Sequence, residues 1–421
     1  MRRAVPLLRD DAWTKLTPAI AGAAVFLVGL RVFPTLGVTP GLVVGLVLLP
    51  VWLPTLREFR GARSLLAAAA TAVAAGLVLA SLAPDRFQVL PTTMAFEATL
   101  MTGFALSVGV LLWARTLLRL HTIALLYGLG LLIAARFTSG FGSANPWKYA
   151  LDVPVAIVLL ALVGERRRWL GAVLLLCLAA FSATHDSRAS MTVFLLSALL
   201  IGWQGLPWSW TRRKTWLGTT VLLVAIGAVV YLGLSELMLS GALGPEIKAR
   251  SELQVEVGGS IIAGGRPEMF ATMALMAYWP FGFGMGVTLD AAAVQVAKDG
   301  MAALNYHPDN GYVERYLFGD GVTLHSVIGD LWARSGLVGL ALAAIVALIV
   351  VRGLAERLNH QAATPLHVCL ATWTIWNLAF APFYSAGLSL VLALALLPQR
   401  TVRPDSGAVS VPTTRSRFLY R

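Results

Sequence analysis

Charge is scarce in this chain. Asp, Glu, Lys and Arg make up 13% of its 421 residues, against 57% hydrophobic residues and a mean hydropathy of +0.75. So little polar surface cannot coat a water-soluble body of this size, which excludes an ordinary soluble globular protein and leaves lipid as the solvent. Cysteine is nearly absent as well. Cys177 and Cys369 both sit in apolar runs, where they behave as small hydrophobes; no spacing suggests a metal site, and neither bears on a redox compartment. Acidic residues are outnumbered 21 to 33 by Lys and Arg, giving a net charge of +12.

What the chain has in quantity is long apolar runs. Crossing a hydrocarbon core takes about 20 helical residues, fewer at the margin. Twelve such segments can be drawn, at 18–36, 38–56, 64–82, 92–113, 120–135, 149–164, 169–183, 189–204, 216–237, 325–351 and, as two helices, 365–398. The last run is too long for one span and is interrupted at Phe380-Ala381-Pro382, which reads as a tight outer turn. The expected fold is all-α, a polytopic transmembrane helix bundle of about 12 spans.

The excess of basic residues then becomes a topology signal, because cytoplasmic loops retain Lys and Arg. With the N-terminus cytoplasmic, the inner segments are 1–15, 57–63, 115–119, 166–168, 212–214, 352–357 and 400–421. They hold 22 of the 33 basic residues. Anionic lipid headgroups are the expected partner of this charge, and a nucleic-acid reading is unnecessary. The N-terminus carries Arg2, Arg3, Arg9 and Lys15 before an apolar run without an obvious small-residue cleavage site, as in an uncleaved signal anchor. The tail 400–421 is basic and rich in Ser, Thr and Pro, and is expected to be a disordered cytoplasmic segment.

One region breaks the pattern of short connections. Between Glu236 and Leu324 lie more than 80 residues on the outer side, and a loop of that length is usually functional or disordered. It is not low-complexity. A charged stretch (Glu246, Lys248, Arg250, Glu252, Glu256) is followed by Gly258-Gly259, by Gly264-Gly265-Arg266 and by an apolar run to Trp279. Pro267 suits the first position of a helix whose Met, Phe, Leu and Trp residues would lie on or dip into the membrane interface. Pro280-Phe281-Gly282-Phe283-Gly284-Met285-Gly286 would end it in sharp turns. The chain thus divides into transmembrane helices 1–9 (1–237), a large outer loop with short helices (238–324), transmembrane helices 10–12 (325–399) and the tail (400–421).

Three polar clusters fall on the outer side. His185-Asp186-Ser187-Arg188-Ala189-Ser190 occupies the tight turn between the seventh and eighth spans, where a basic residue runs against the charge bias; Arg188 is either a snorkelling arginine at a helix end or a ligand for an anion. Arg266 is either a solvated loop residue or a second such ligand. His325-Ser326 stands at the mouth of the tenth span, where a lone His is either a polar anchor or a catalyst. A fourth patch, Tyr306-His307-Pro308-Asp309-Asn310-Gly311-Tyr312, reads equally as a plain turn or as a contact for sugar.

The run Leu324-His325-Ser326-Val327-Ile328-Gly329-Asp330-Leu331-Trp332-Ala333-Arg334-Ser335-Gly336-Leu337-Val338-Gly339 resembles the signature of the O-antigen ligase and polymerase superfamily. There a His-Asn pair opens a helix and is followed by an acidic residue and Gly-x-x-Gly. Gly264-Gly265-Arg266 with Pro280 to Gly286 is similar to that family's outer-loop arginine and its Pro-x-Gly-x-Gly stretch, and Ser187-Arg188-Ala189-Ser190 to its Ser-Arg element. The resemblance covers residues 185–345. Ser326 stands where Asn is usual, Phe270 where a Trp often follows the arginine, and Arg334 where Glu is typical. Asp330 and Arg334, one helical turn apart, are expected to form a local ion pair worth about 0.2–0.5 kcal/mol on an exposed helix.

The resemblance implies a GT-C-like membrane glycosyltransferase at the outer face of a bacterial inner membrane. Its donor would be an undecaprenyl-pyrophosphate-linked oligosaccharide, its acceptor a glycan or lipid A-core-type hydroxyl, and its product part of a surface or exopolysaccharide. Arg188 and Arg266 would clamp the diphosphate, because a guanidinium fork holds phosphate oxygens bidentately and stays charged. His325 would either take the acceptor proton, as an imidazole suits general-base work, or bind the leaving phosphate as imidazolium. Asp186, Ser187, His307, Asp309, Asn310, Tyr312 and Ser326 are the expected substrate contacts. Such a mechanism needs no metal and no other cofactor, and the outer acidic residues Asp290, Asp299, Asp309, Glu314 and Asp320 form no metal-ligand pattern.

A transporter or flippase of lipid-linked saccharide is the rival class, with a non-catalytic assembly protein as a third. Transport would use ionisable residues at mid-membrane, and Glu97 and Asp152 lie in apolar spans without an evident partner. Against it, no internal repeat is evident and the polar features gather on one side.

Overall fold

The computed structural model describes residues 8–32, 36–164, 167–205, 215–242, 244–319 and 321–401. Expected inner residues in 1–7, 212–214 and 402–421, together with Arg166 and Asp320, lie outside the described residues.

Each of the twelve apolar runs contains helix among the described residues. The first half of the chain forms α1 (Leu8–Gly29), α2 (Pro40–Val47), α3 (Leu49–Trp52) with a 3₁₀ turn over Leu53–Glu58, α4 (Ala62–Ser81), α5 (Pro91–Ala114) and α6 (Leu120–Ala135). Then come α7 (Asp152–Val163), α8 (Arg168–Thr184), α9 (Arg188–Gln204) and α10 (Trp216–Leu239). The outer segment contributes α11 (Pro245–Gly258), α12 (Ile261–Gly265), α13 (Glu268–Tyr278) and α14 (Ala291–Ala302). The chain returns through α15 (Val327–Asn359), α16 (Pro365–Phe380) and α17 (Phe383–Leu396). Ala381 and Pro382 separate the last two, as expected, because Pro382 cannot continue α16.

Four helices, α4, α5, α10 and α15, are long and apolar enough to cross a membrane, and the α2–α3 pair with its 3₁₀ turn makes a fifth if the bent pair is one span. α6, α8, α9 and α17 are apolar but only 14–17 residues long. Two breaks were not visible in the hydropathy. The second run bends by 64° at Leu48, just ahead of Pro50, which cannot take a mid-helix position. α15 is interrupted at Gly336, which has φ 60° and ψ −141°. There a Cβ would stand 2.2 Å from the carbonyl oxygen of Phe281, so only glycine fits.

The helices sort their polar ends. At one end, residues of the segments 57–63, 115–119, 167–168, 352–357 and 400 come together: Arg60 pairs with Glu356 at 3.3 Å and Arg400 with Glu58 at 2.6 Å. At the same end Arg115 donates to the carbonyl of Pro398 at 3.0 Å and Arg357 to that of Leu396 at 2.8 Å. This basic end is where charge bias predicted the inner loops to meet.

At the opposite end the long segment is ordered because it has its own core. Ala271 and Leu275 of α13, Ala293, Ala297 and Met301 of α14, and Phe283, Val287, Val313, Leu317 and Leu324 bury one another and close on Trp332 and Ala333 of α15. α13 thus packs Ala271 and Leu275 on this core and leaves Met273 exposed on its other face. The Pro280–Gly286 stretch does more than turn. Phe283 and Gly284 both donate to the carbonyl of Ala333, Met285 to that of Gly76, and Val287–Thr288 (β2) pairs antiparallel with Gln88–Val89 (β1) between α4 and α5. An extended strand thus wedges between α4 and the broken α15.

Candidate functional site

The tight α8–α9 turn puts Arg188 at the first position of α9, with its side chain mostly buried. Its guanidinium donates to Gln254 Oε1 of α11 at 3.3 Å. Gln254 in turn explains Gly264-Gly265: a Cβ on Gly264 would lie 1.9 Å from the Gln254 carbonyl oxygen and one on Gly265 2.7 Å from its side-chain amide. Only a glycine pair lets α12 fold back that closely on α11. The turn delivers Arg266, at the C-terminus of α12, into electrostatic reach of Arg188.

Arg266 is half-buried, and its guanidinium has neither an ion pair nor a hydrogen bond among the described residues; it lies 5.8 Å over the ring of Phe380 at the end of α16. It is also within electrostatic reach of Tyr312, whose hydroxyl donates to Glu268 Oε1 at 2.5 Å. Burial raises the Tyr312 hydroxyl above its ordinary range, and the Glu268 carboxylate raises it further, so it stays a donor. The Tyr312 ring stacks on His325 with centroids 6.1 Å apart and planes 28° apart. Arg188 with Gln254, and Tyr312 with His325, are thus two contacting pairs at the end of the bundle away from the basic loops, and Arg266 lies within electrostatic reach of both.

His325 is held in an unusual state. Its φ is +51°, a left-handed region uncommon for residues other than glycine although His, like Asn and Asp, enters it more often than most, and its Nδ1 is buried without a hydrogen-bond partner among the described residues. Both neighbours are pinned. Leu324 donates its N–H to Asp330 Oδ1 at 2.7 Å, and Ser326 caps α15 by accepting from Gly329 at 2.9 Å while donating to the Leu378 carbonyl at 3.2 Å. Strain persists only where the surroundings over-determine it, and it clusters at functional positions.

Asp330 and Arg334 are not the exposed local pair expected from their spacing. Both are buried. Arg334 Nε reaches Glu97 Oε1 on α5 at 2.6 Å and its Nη1 is 3.5 Å from Asp330 Oδ2, while Phe383 and Gly286 donate backbone N–H groups to Asp330 Oδ2 and Glu97 Oε2 at 2.8 and 2.7 Å. The partner of Glu97 is thus found, and the triad ties α5, α15, α17 and the glycine strand beneath His325. Asp152 also has its partner. Ser190 donates to its Oδ2 at 2.5 Å, and Ser187 donates to Ser190 at 2.9 Å, so Ser187 is buried in a structural relay.

Asp186 lies beside Arg188 as the hub of three cations: Lys148 and Arg250 at 3.1 Å each, and Arg188 at 3.7 Å. Partial burial pushes its carboxyl up, but the Lys148 hydrogen bond and the three positive charges outweigh this and hold it below the usual carboxylate range. The ring of His185 is packed on Phe181. In the 306–312 patch only Tyr312 joins the site. Asp309 pairs with Lys298 at 2.6 Å, Asn310 accepts from the Tyr312 N–H at 3.0 Å and donates to the Tyr306 hydroxyl at 3.0 Å, and His307 is exposed.

Compared with known proteins, the chain matches no family model, no curated protein and no solved structure. Among the described residues no group of three or more His, Cys, Asp and Glu side chains is placed to hold a metal ion. Sequence reasoning missed Lys148, Arg250, Gln254 and Glu268. Arg250 stood in a charged stretch given no role, Lys148 in a short connection, and nothing in the sequence linked Gln254 or Glu268 to the arginines.

Proposed function

We propose that this chain is a polytopic membrane glycosyltransferase of the O-antigen ligase and polymerase type, with about 12 spans, both termini cytoplasmic, and its site on the periplasmic side of a bacterial inner membrane. It takes an undecaprenyl-pyrophosphate-linked glycan as donor. The observation that carries this reading is the cluster in which Arg266, a half-buried guanidinium without a counter-ion among the described residues, lies within electrostatic reach of both Arg188 and Tyr312, the ring that stacks on His325. Such a cluster suits a leaving group that is multiply anionic.

In this reading the acceptor hydroxyl oxygen attacks the anomeric carbon as the bond to the diphosphate oxygen breaks. The diphosphate leaves with the bonding electron pair, its charge held by Arg188 and Arg266, and the hydroxyl proton passes to the imidazole of His325. Tyr312, kept protonated by Glu268, orients the imidazole face and offers an aromatic surface to sugar. The short apolar helices complete the remaining spans by borrowing flanking residues, as marginal helices do in thin or deformed bilayer.

The rival transporter reading drew on Glu97 and Asp152, and both are hydrogen-bonded within the protein. The experiment incubates purified protein with lipid-linked oligosaccharide and a panel of glycan and lipid acceptors, followed by mass analysis of products. A glycosidic product formed by the wild type and lost in Arg188→Ala, Arg266→Ala and His325→Ala, each still inserted in membranes, supports the enzyme. Movement of the labelled lipid across vesicles without any product overturns it in favour of transport.

A further inference from the structure

The bend in the second apolar run opens a crevice that the glycan chemistry does not use. Because Leu49–Glu58 turns away from Pro40–Val47 by 64°, it leaves a space of about 930 Å³ against the first half of α4 and the middle of α5. Trp52, Leu66, Val73, Met101 and Leu106 form its apolar floor, and Arg57 and Arg63 stand at its mouth. Both arginines are exposed, and neither guanidinium has a hydrogen bond or ion pair among the described residues, although Arg60 and Arg400 beside them are paired with Glu356 and Glu58. The mouth lies at the basic end of the bundle, and the floor reaches α5 at mid-height.

An apolar slot between membrane-length helices, with two exposed guanidinium groups at its mouth that are unpaired among the described residues, matches one ligand chemistry. We infer that this crevice is a binding site for an anionic glycerophospholipid of the leaflet at the basic end, its acyl chain along α4 and α5 and its phosphate between Arg57 and Arg63. Basic pockets between membrane helices on the cytoplasmic side bind lipid headgroups on this principle. The volume falls in the range of about 300–1,000 Å³ typical of specific ligand sites. A second crevice of about 650 Å³ between α7 and α8 has one arginine, Arg167, among its lining residues. It supplies an internal control, because a single guanidinium offers half the charge. The inference requires the chain to sit in a bilayer but does not rest on the glycosyltransferase reading.

The test is native mass spectrometry of the full-length protein in detergent, titrated with phosphatidylglycerol and, separately, phosphatidylcholine of the same acyl chains. The wild type is expected to retain one phosphatidylglycerol with a preference of about tenfold over phosphatidylcholine. Arg57→Ala/Arg63→Ala should abolish the preference, Arg167→Ala should keep it, and Ala70→Trp, which fills the crevice, should lower retention of both lipids. Ala67→Trp on the same wall replaces it if that variant does not fold. Equal retention of the two lipids by the wild type, or a preference that survives either Arg57→Ala/Arg63→Ala or the filled crevice, overturns the inference.

Discussion

Arg334 on α15 and Glu97 on α5, 237 positions apart in sequence, meet at 2.6 Å inside the bundle. Glu97 then holds the Gly286 N–H and Arg334 faces Asp330, so one buried triad fixes both the glycine strand and the backbone that presents His325. A buried charge is costly unless paired and hydrogen-bonded.

Removing the one cation should therefore do more harm than removing one of its two carboxylates. Arg334→Ala is expected to destabilise the protein by about 3–5 kcal/mol, because Glu97 and Asp330 both stay buried without a positive charge, whereas Glu97→Leu should cost less, because Arg334 keeps Asp330. Thermal unfolding in detergent, followed by size-exclusion chromatography, measures this. Neutral single variants would show that the pair is not structural.

Gly336→Ala forces an L side chain into a left-handed conformation and against the Phe281 carbonyl, so it is expected to cost about 1–3 kcal/mol from the backbone alone and more from the clash. Gly227→Ala, in α10, meets nothing within 4 Å and should be tolerated or mildly stabilising. Yield of folded protein in membranes compares the two.

Asp186 tethers α11 through Arg250. Its carboxyl is held below the ordinary range, so the stability it contributes is fully present above the unfolded-state carboxyl value, about 3.9, and is lost as pH falls through the lowered folded-state value. Amide exchange over 245–258 should rise in that acid window, and Asp186→Asn should raise it already at neutral pH. Unchanged exchange in Asp186→Asn would remove the tether.

Within the 306–312 patch the effects should separate. Tyr312→Phe leaves the Glu268 carboxylate buried without its donor, a loss of about 1–3 kcal/mol, and should depress glycan transfer. His307→Ala, at an exposed position, should leave transfer within about twofold of wild type, since surface changes away from such contacts stay within about 0.5 kcal/mol. Equal loss in both variants would instead make the whole patch a substrate surface.

The proton-accepting role of His325 is tested by His325→Gln, which keeps a polar side chain but cannot take the acceptor proton. Glycan transfer is expected to fall by about 10²–10⁴-fold. Initial rates with the protein still inserted in membranes measure this, and transfer within about twofold of wild type removes His325 from the role.

Much of this was legible along the chain. Apolar runs set where helices form, because a backbone in an apolar surrounding must satisfy its own hydrogen bonds. Basic residues at alternate connections marked the end where Arg60, Arg115, Arg357 and Arg400 now meet, and Pro267 and Pro382 marked helix starts, since local chemistry dictates both. Proximity was not legible. That Gln254 bridges toward Arg188, that Tyr312 covers His325 while His307 does not, and that Glu97 finds Arg334 are long-range pairings set by how α5, α11 and α15 pack. The bends at Leu48 and Gly336 belong to the same class, for a glycine in an apolar helix reads as a helical residue until a neighbouring carbonyl takes the place of its side chain. The sequence by itself determined a membrane-length helical protein with its basic charge at one end; the tertiary structure alone decided which polar side chains share the other end, because a charge scarce in sequence becomes a site only where packing brings several together.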